Sequence, residues 1–363
     1  MKSRIERLAE ALSHAGVDAM FAQNPVTMDY LHGFGESSHE RFLTLAIRST
    51  GEVRLICPAL SEVQARRAGI QDVRTWADDQ LPMPIFAELA TDWNLRTSIV
   101  AVDDELPAHM LLAMQGVLPA ALFKPAGPLL TQLMRYKDAQ EMDALTRAAK
   151  IADDAFVAIL PELKVGLSER QIESKLRHLM SEAGGTPTFC IVGIDAGSAE
   201  PHHLNGSAVL REGSLLLLDF GCELDGYQSD ITRVVAIGRA THRMKEIYSI
   251  VHEAHWAARR AVHSGVSGAD IDNAARQVIE EAGYGPQFFH RTGHGIGRHG
   301  HEEPYIVISN HRPILEGECF SIEPGIYLEG EFGVRIENIV TVGPEGCISL
   351  NADPSPTLLE LPI

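Results

Sequence analysis

The chain has 363 residues, of which 45% are hydrophobic and 22% charged, with a net charge of −18. That length leaves room for two domains and a sizeable core, and the acidic balance argues against nucleic-acid or anionic-membrane binding, which needs a basic patch. The five cysteines, Cys57, Cys190, Cys222, Cys319 and Cys347, are widely spaced and form no CxxC pair, so neither a zinc ribbon nor a disulfide framework is indicated.

The first twenty residues read as an amphipathic helix. Ile5, Leu8, Leu12 and Ala15 share a face, and Arg4, Glu6, Arg7 and Glu10 interrupt the apolar core that a signal peptide needs. No apolar run approaches the ~20 residues of a membrane span. A cytoplasmic setting with reduced cysteines is the expectation. Strands are predicted at 18–22, 42–48, 53–58 and 98–102, and a helix at 106–118. Residues 1–125 therefore read as an α/β domain with a mixed sheet. It holds no phosphate loop and no dinucleotide fingerprint, which leaves covering a site or pairing subunits as its role. A boundary is expected at Pro125–Pro128, with a second domain over 126–363.

Long helices follow at 139–160, 168–183, 243–263 and 269–282. They contain an internal echo. Gly166-Leu167-Ser168, Ile172 and Ala183-Gly184 recur at one constant offset (166 to 265) as Gly265-Val266-Ser267, Ile271 and Ala282-Gly283. A strand is predicted after each helix pair, at 188–192 and at 287–290. The second domain thus reads as a duplicated helix–helix–strand unit with a cleft along its pseudo-two-fold axis.

Between the two copies, the apolar run from Leu215 ends on Asp219, and Asp230 opens a second strand-like run. Asp225-Gly226 between them is a hairpin signal. A hairpin brings the two carboxylates together, where they repel unless something positive lies between them. A divalent cation and a turn-capping aspartate both satisfy these residues alone. Four further clusters carry chemistry: Arg291-Thr292-Gly293-His294-Gly295-Ile296-Gly297, Ser321-Ile322-Glu323-Pro324-Gly325, Val334-Arg335-Ile336-Glu337-Asn338, and Pro201-His202-His203 with His301-Glu302. Four carboxylates and one imidazole carry a formal charge that two divalent cations would neutralise. Oxygen-rich donor sets of this kind suit manganese, and also cobalt, iron or zinc.

These motifs, DFG…DGYQSDITR, PHH, GHGIG…HE, SIEPG and VRIEN in that order, resemble those of the "pita-bread" metallopeptidases: creatinase, methionine aminopeptidase, aminopeptidase P and prolidase. The resemblance covers roughly residues 130–350, and the first domain resembles the creatinase-type N-terminal domain. It implies an α+β fold, a pita-bread catalytic domain preceded by that α/β domain, and a homodimer. It also implies two divalent metal ions, manganese first, held by Asp219, Asp230, His294, Glu323 and Glu337, with Asp230 and Glu337 bridging. Glu323 would move the proton, His202 would contact the scissile amide, and His301 the carbonyl next to proline. Arg335 would orient the bridging carboxylates, with Tyr227 behind them.

The five ligands set the chain apart from creatinase, and its first domain from methionine aminopeptidases. The expected substrate is a peptide with proline in second position. A prolidase-type Xaa-Pro dipeptidase is favoured, with an aminopeptidase P on longer peptides as the alternative and a non-enzymatic binder of the same fold as the remote one. A dipeptidase must read a free C-terminal carboxylate; Arg298 and Tyr305 are expected to bind substrate, Arg298 as a source of that charge, whereas Tyr305 stands where some prolidases carry an arginine, which weighs against the dipeptidase. An N-domain arginine of the second subunit is the other source.

Overall fold

The computed structural model describes residues 2–37 and 39–362. They form two compact units, Met1–Met134 and Arg135–Ile363. The first unit opens with α1 (Arg4–His14), started by a reciprocal cap in which the Ser3 hydroxyl accepts from the Glu6 amide and the Glu6 carboxylate accepts from the Ser3 amide. In chain order follow β1 (Ala19–Ala22), α2 (Pro25–His32), β2 (Thr44–Arg48), β3 (Val53–Pro58), α3 (Glu62–Arg67), β4 (Val73–Trp76), α4 (Met83–Asp92), β5 (Ile99–Val102), α5 (Ala108–Val117), β6 (Leu122–Pro125) and α6 (Gly127–Met134). The strands form one sheet in the order β4-β3-β2-β1-β5-β6. It is mixed, with β1–β2 and β2–β3 antiparallel and the other three pairs, β1–β5, β3–β4 and β5–β6, parallel.

Alternation along β1 sends Met20 to one face of this sheet and Phe21 to the other. Met20 joins a core with Leu8, Leu12 and Leu45. Phe21 joins Phe86, Leu89 and Trp93. The strands β4 and β6 lie at the sheet edges, where half-exposed residues blur the period-two signal, and sequence patterning passed over both. The helix α6, which begins within the Pro125–Pro128 stretch, buries Leu129, Leu130, Leu133 and Met134 in the first unit's core.

In the second unit α7 (Ala139–Ile159) and α8 (Glu169–Glu182) precede β7 (Thr186–Ile194), β8 (Leu215–Leu224), β9 (Tyr227–Gln228) and β10 (Ile231–Ile237). Then α9 (His242–Ala261) and α10 (Gly268–Glu281) precede β11 (Gly293–Gly295), β12 (Glu302–Ile306), β13 (Cys319–Ile322), β14 (Gly325–Leu328), β15 (Phe332–Arg335), β16 (Asn338–Gly343), β17 (Gly346–Ser349) and β18 (Leu359–Leu361). One sheet runs β18-β10-β8-β7, with β9 on β8, another runs β12-β11-β13-β16-β17, and β14 and β15 form a two-stranded antiparallel sheet.

The internal echo is a structural duplication. Ser168 and Ser267 each cap the second helix of a pair by a reciprocal side-chain cap. Each also forms an isolated bridge, to Val209 and to Pro313. The Gly166 amide donates to Leu210 and the Gly265 amide to Ile314, both at 2.8 Å.

The strand expected at 287–290 is not there. Gly285–Gln287 is a short 3-10 turn, and the carbonyls of Phe288 and His290 accept from the Arg276 guanidinium at 2.9 Å instead of from a neighbouring strand. Phe288 is buried as an anchor, and the second copy's strand starts later, at Gly293.

Candidate active site

The two aspartates meet as the hairpin signal requires. Asp225 and Gly226 both take positive φ, 52° and 80°, the conformation of a two-residue turn that matches strand twist. β8 and β10 then pair antiparallel with Thr232 opposite Asp219, which brings Asp230, just before β10, to the same end of the sheet. In the other sheet β13 pairs with β16, with Ile322 opposite Asn338. Glu323 and Glu337, one residue outside that pair, therefore come together. β11 pairs with β13 through Gly295 and Phe320 and adds His294.

The sheets are joined at this point by short hydrogen bonds. The Thr232 hydroxyl donates to Glu337 Oε2 at 2.7 Å, the Glu337 amide donates to Thr232 O at 3.2 Å, and Arg233 donates to Glu337 O at 2.5 Å.

All five expected ligands line one cleft of about 1210 Å³. Ligand atoms of Asp230, His294 and Glu337 lie within 4.8 Å of one another. Burial, with the neighbouring carboxylates Glu337, Asp219 and Glu323, drives the Asp230 carboxyl well above its ordinary range. Burial, with Glu323 and Asp219, does the same to Glu337. Glu323 is raised to about 7 by burial, against the pull of Arg335. Burial lowers His294 to about 3, helped by His301, so this imidazole is neutral.

The His294 Nδ1–H donates to Gly295 O at 3.0 Å, which fixes the tautomer and leaves Nε2 as a lone pair. That lone pair faces Glu323 Oε1 at 3.4 Å and Asp230 Oδ2 at 3.8 Å. Asp219 Oδ1, Asp230 Oδ1 and Glu337 Oε1 are buried without a hydrogen-bond partner. A neutral nitrogen and several carboxylate oxygens pointed at one another need either protons or a cation between them, and a divalent cation satisfies all of them at once. The residues fit divalent metal.

Arg335 supplies a buried guanidinium among them. It donates to Asp219 Oδ2 at 2.5 Å, to Thr232 Oγ1 at 3.0 Å and to the Tyr327 hydroxyl at 2.9 Å. Tyr327 in turn donates to His290 Nε2, 2.8 Å away, because His290 Nδ1–H is already given to Arg291 O at 2.7 Å. His202 and His301 also line the cleft. The next residue, His203, is clamped between Glu169 at 3.0 Å and Glu200 at 3.1 Å. Glu169 also accepts from the amides of Ile194 and Gly206, so the turn that carries His202 is pinned from both ends.

Arg298 and Tyr305 do not line the cleft. The Arg298 guanidinium reaches back to the β8–β9 turn, with Nη1 3.5 Å from Asp225 O and the group 5.2 Å over the Tyr227 ring. Tyr227 donates to Glu141 at 2.8 Å. Tyr305 lies beneath Arg291, whose guanidinium sits 4.4 Å over its ring. Residues that were not singled out individually in the sequence do line the cleft: Arg291, His290, Tyr327, Phe189, Ile191 and Phe289. Arg291 and His290 flank the glycine–histidine motif and were within reach of a sequence argument. Phe189 and Ile191 arrive through strand pairing and carry no local signal.

The family description "Metallopeptidase family M24" matches residues 143–344, and "Creatinase/Prolidase N-terminal domain" matches residues 4–137. The chain belongs to metallopeptidase family M24. Within that family, the Xaa-Pro dipeptidase of Lactobacillus helveticus is 33% identical over 348 residues, covering 94% of this chain and 95% of that protein. The solved prolidase from Thermococcus sibiricus superposes with a TM-score of 0.94 at 32% identity, covering 99% of this chain and all of that one. The X-Pro aminopeptidase from Thermotoga maritima superposes with a TM-score of 0.88 at 31% identity and covers 99% of this chain and 100% of that one. An M24 enzyme hydrolyses peptides with divalent metal, in keeping with the donor set described above. Among the described residues, no helix is long and apolar enough to cross a membrane.

Proposed function

We propose that this M24 enzyme is a dinuclear Xaa-Pro dipeptidase that hydrolyses the bond between an N-terminal residue and a C-terminal proline. The observation that carries this reading is the set of four carboxylates, three of them buried, and one neutral imidazole, whose unpartnered oxygens and one nitrogen lone pair converge in a peptide-sized cleft. The names of the dipeptidase and prolidase relatives support the substrate class. Asp219, Asp230, His294, Glu323 and Glu337 would hold two cations, manganese in preference to cobalt or zinc, since four of the five donors are carboxylates. Bound there, they would acidify water and polarise the scissile carbonyl.

The rest is done by side chains. Glu323 takes a proton from the attacking water as the water oxygen bonds to the carbonyl carbon. It returns that proton to the proline nitrogen as the C–N bond breaks. A carboxylate at the edge of the donor set, beside the water and the scissile bond, is placed for both transfers. His202 and His301, on the cleft wall, hydrogen-bond the scissile amide and the carbonyl next to proline. Arg335 holds Asp219 in place. Proline calls for a dedicated enzyme because its tertiary amide has no N–H to pair with an extended binding strand.

A second reading, an aminopeptidase P on longer Xaa-Pro peptides, is favoured by the size of the cleft, which exceeds what a dipeptide needs. A cytoplasmic location is supported by five free thiols. A homodimer follows from the family resemblance and is tested by light scattering. The deciding assay is hydrolysis of Ala-Pro beside Ala-Pro-Ala by metal-stripped protein with and without added Mn2+. Metal-dependent cleavage of Ala-Pro is the expected result. Preference for the tripeptide would replace the first reading by the second, and no metal-dependent cleavage of either would end both.

A further inference from the structure

A dipeptidase of this kind must recognise the free carboxylate of the C-terminal proline. The inference here rests on that reading of the site. Arg298 and Tyr305 lie off the cleft, as described above. Arg291 lines it, with its guanidinium 4.4 Å over the Tyr305 ring and Nη2 3.4 Å from His301 Nδ1. The His301 ring is in turn 3.9 Å from the His294 ring. His294, His301 and Arg291 therefore form a row that starts at the carboxylate cluster and runs outward along the cleft wall.

Arg291 is also the available cation of this wall. Among the described residues no carboxylate lies within ion-pair distance of it, whereas Arg335 is committed to Asp219, Thr232 and Tyr327. Its backbone is fixed on both sides. Arg291 O accepts from His290, and the Thr292 hydroxyl donates to buried Asp272 at 2.7 Å. A guanidinium held over an aromatic ring by cation–π attraction still has N–H groups to offer a planar carboxylate.

We propose that Arg291, seated on Tyr305, is the specificity-determining residue that binds the C-terminal carboxylate of the dipeptide. In a dipeptide that carboxylate lies one residue step, about 3.8 Å, beyond the scissile carbonyl. The step from the His301 ring to the Arg291 guanidinium is of similar size. A longer peptide has a neutral amide at this point and gains no ion pair. Tyr305 is a positioning residue that acts through the stack.

The test compares Ala-Pro with Ala-Pro amide on the Mn2+-loaded wild type and on Arg291→Met, Arg291→Lys and Tyr305→Phe. The wild type is expected to prefer the dipeptide by about 10- to 100-fold in kcat/KM, the range for hydrogen bonds to a charged group. Arg291→Met removes that preference by raising KM on the dipeptide far more than on the amide. Arg291→Lys keeps part of it, which guards against a folding defect, and Tyr305→Phe keeps it because the ring remains. A wild type without the preference, an Arg291→Met variant that retains it, or an equal loss on both substrates would each overturn the assignment while leaving an Xaa-Pro peptidase in place. A wild type that cleaves neither substrate with Mn2+, Co2+ or Zn2+ overturns the dipeptidase reading and this inference with it.

Discussion

Arg335 Nη2 lies 2.5 Å from Asp219 Oδ2, and both side chains are buried. This contact ties β15 to β8 and places a fixed positive charge beside a cluster of four carboxylates. Desolvation opposes the guanidinium's charge, but Tyr327, Asp219, Glu323 and Glu337 outweigh it and hold Arg335 charged. Replacing Arg335 by Met leaves Asp219 buried without its partner, a change that typically costs about 3–5 kcal/mol. Mn2+ should restore part of that loss, because it supplies the missing positive charge. Urea unfolding of Arg335→Met with and without Mn2+ reads both effects. A variant as stable as the wild type in chelator would contradict the role given to Arg335.

Asp230 behaves in the opposite sense. Its carboxyl is crowded by burial and by three neighbouring carboxylates, so a neutral amide removes repulsion as well as a ligand. In chelator Asp230→Asn should be at least as stable as the wild type. With Mn2+ the wild type should gain in Tm through linkage, the variant should gain little, and its hydrolysis should be lost. Thermal unfolding in the four combinations is the measurement. A wild-type-like Mn2+ shift in the variant would remove Asp230 from the ligand set.

His255 on α9 provides a pH dependence away from the site. It is fully buried, neither ring nitrogen has a hydrogen-bond partner among the described residues, and burial together with Arg259, Arg233 and His252 lowers its pKa well below the usual value. The folded state thus resists a proton that the unfolded chain accepts. Stability from this group is complete above about pH 6.5 and is lost below it, by up to about 1.4 kcal/mol per pH unit. His255→Phe should flatten the fall between pH 7 and 5.5 in urea titrations. An unchanged slope would show that His255 is not its source.

Gly293 packs its backbone closely against β13. A Cβ there would lie 1.9 Å from Ser321 O, a backbone atom that cannot yield without moving the strand. Gly293→Ala should push β11 outward, break the bond from the His294 amide to Ser321 Oγ and swing His294 off the cluster. A stability loss of about 1–3 kcal/mol is expected together with a weakened Mn2+ shift in Tm. Retained metal response would mean that β11 can relax without moving His294.

By itself the sequence determined the long helices, the duplication and the two-residue turn at Asp225-Gly226, because 3.6-residue periodicity, reciprocal serine caps and positive-φ turns are local physics. It also marked the charged and imidazole residues of the cluster, since donor type is written in the side chain. It did not determine the strand after α10. There Arg276 takes the carbonyls of Phe288 and His290 out of any ladder, and that contact joins residues a helix apart.

Nor could it decide which arginine faces the cleft. Arg298 and Arg291 are seven positions apart in one glycine-rich segment and have the same chemistry. Their directions depend on what each packs against, the β8–β9 turn with Tyr227 for one and the Tyr305 ring for the other. Side-chain direction in a loop is set by partners from distant strands, and only the tertiary structure brings those partners together.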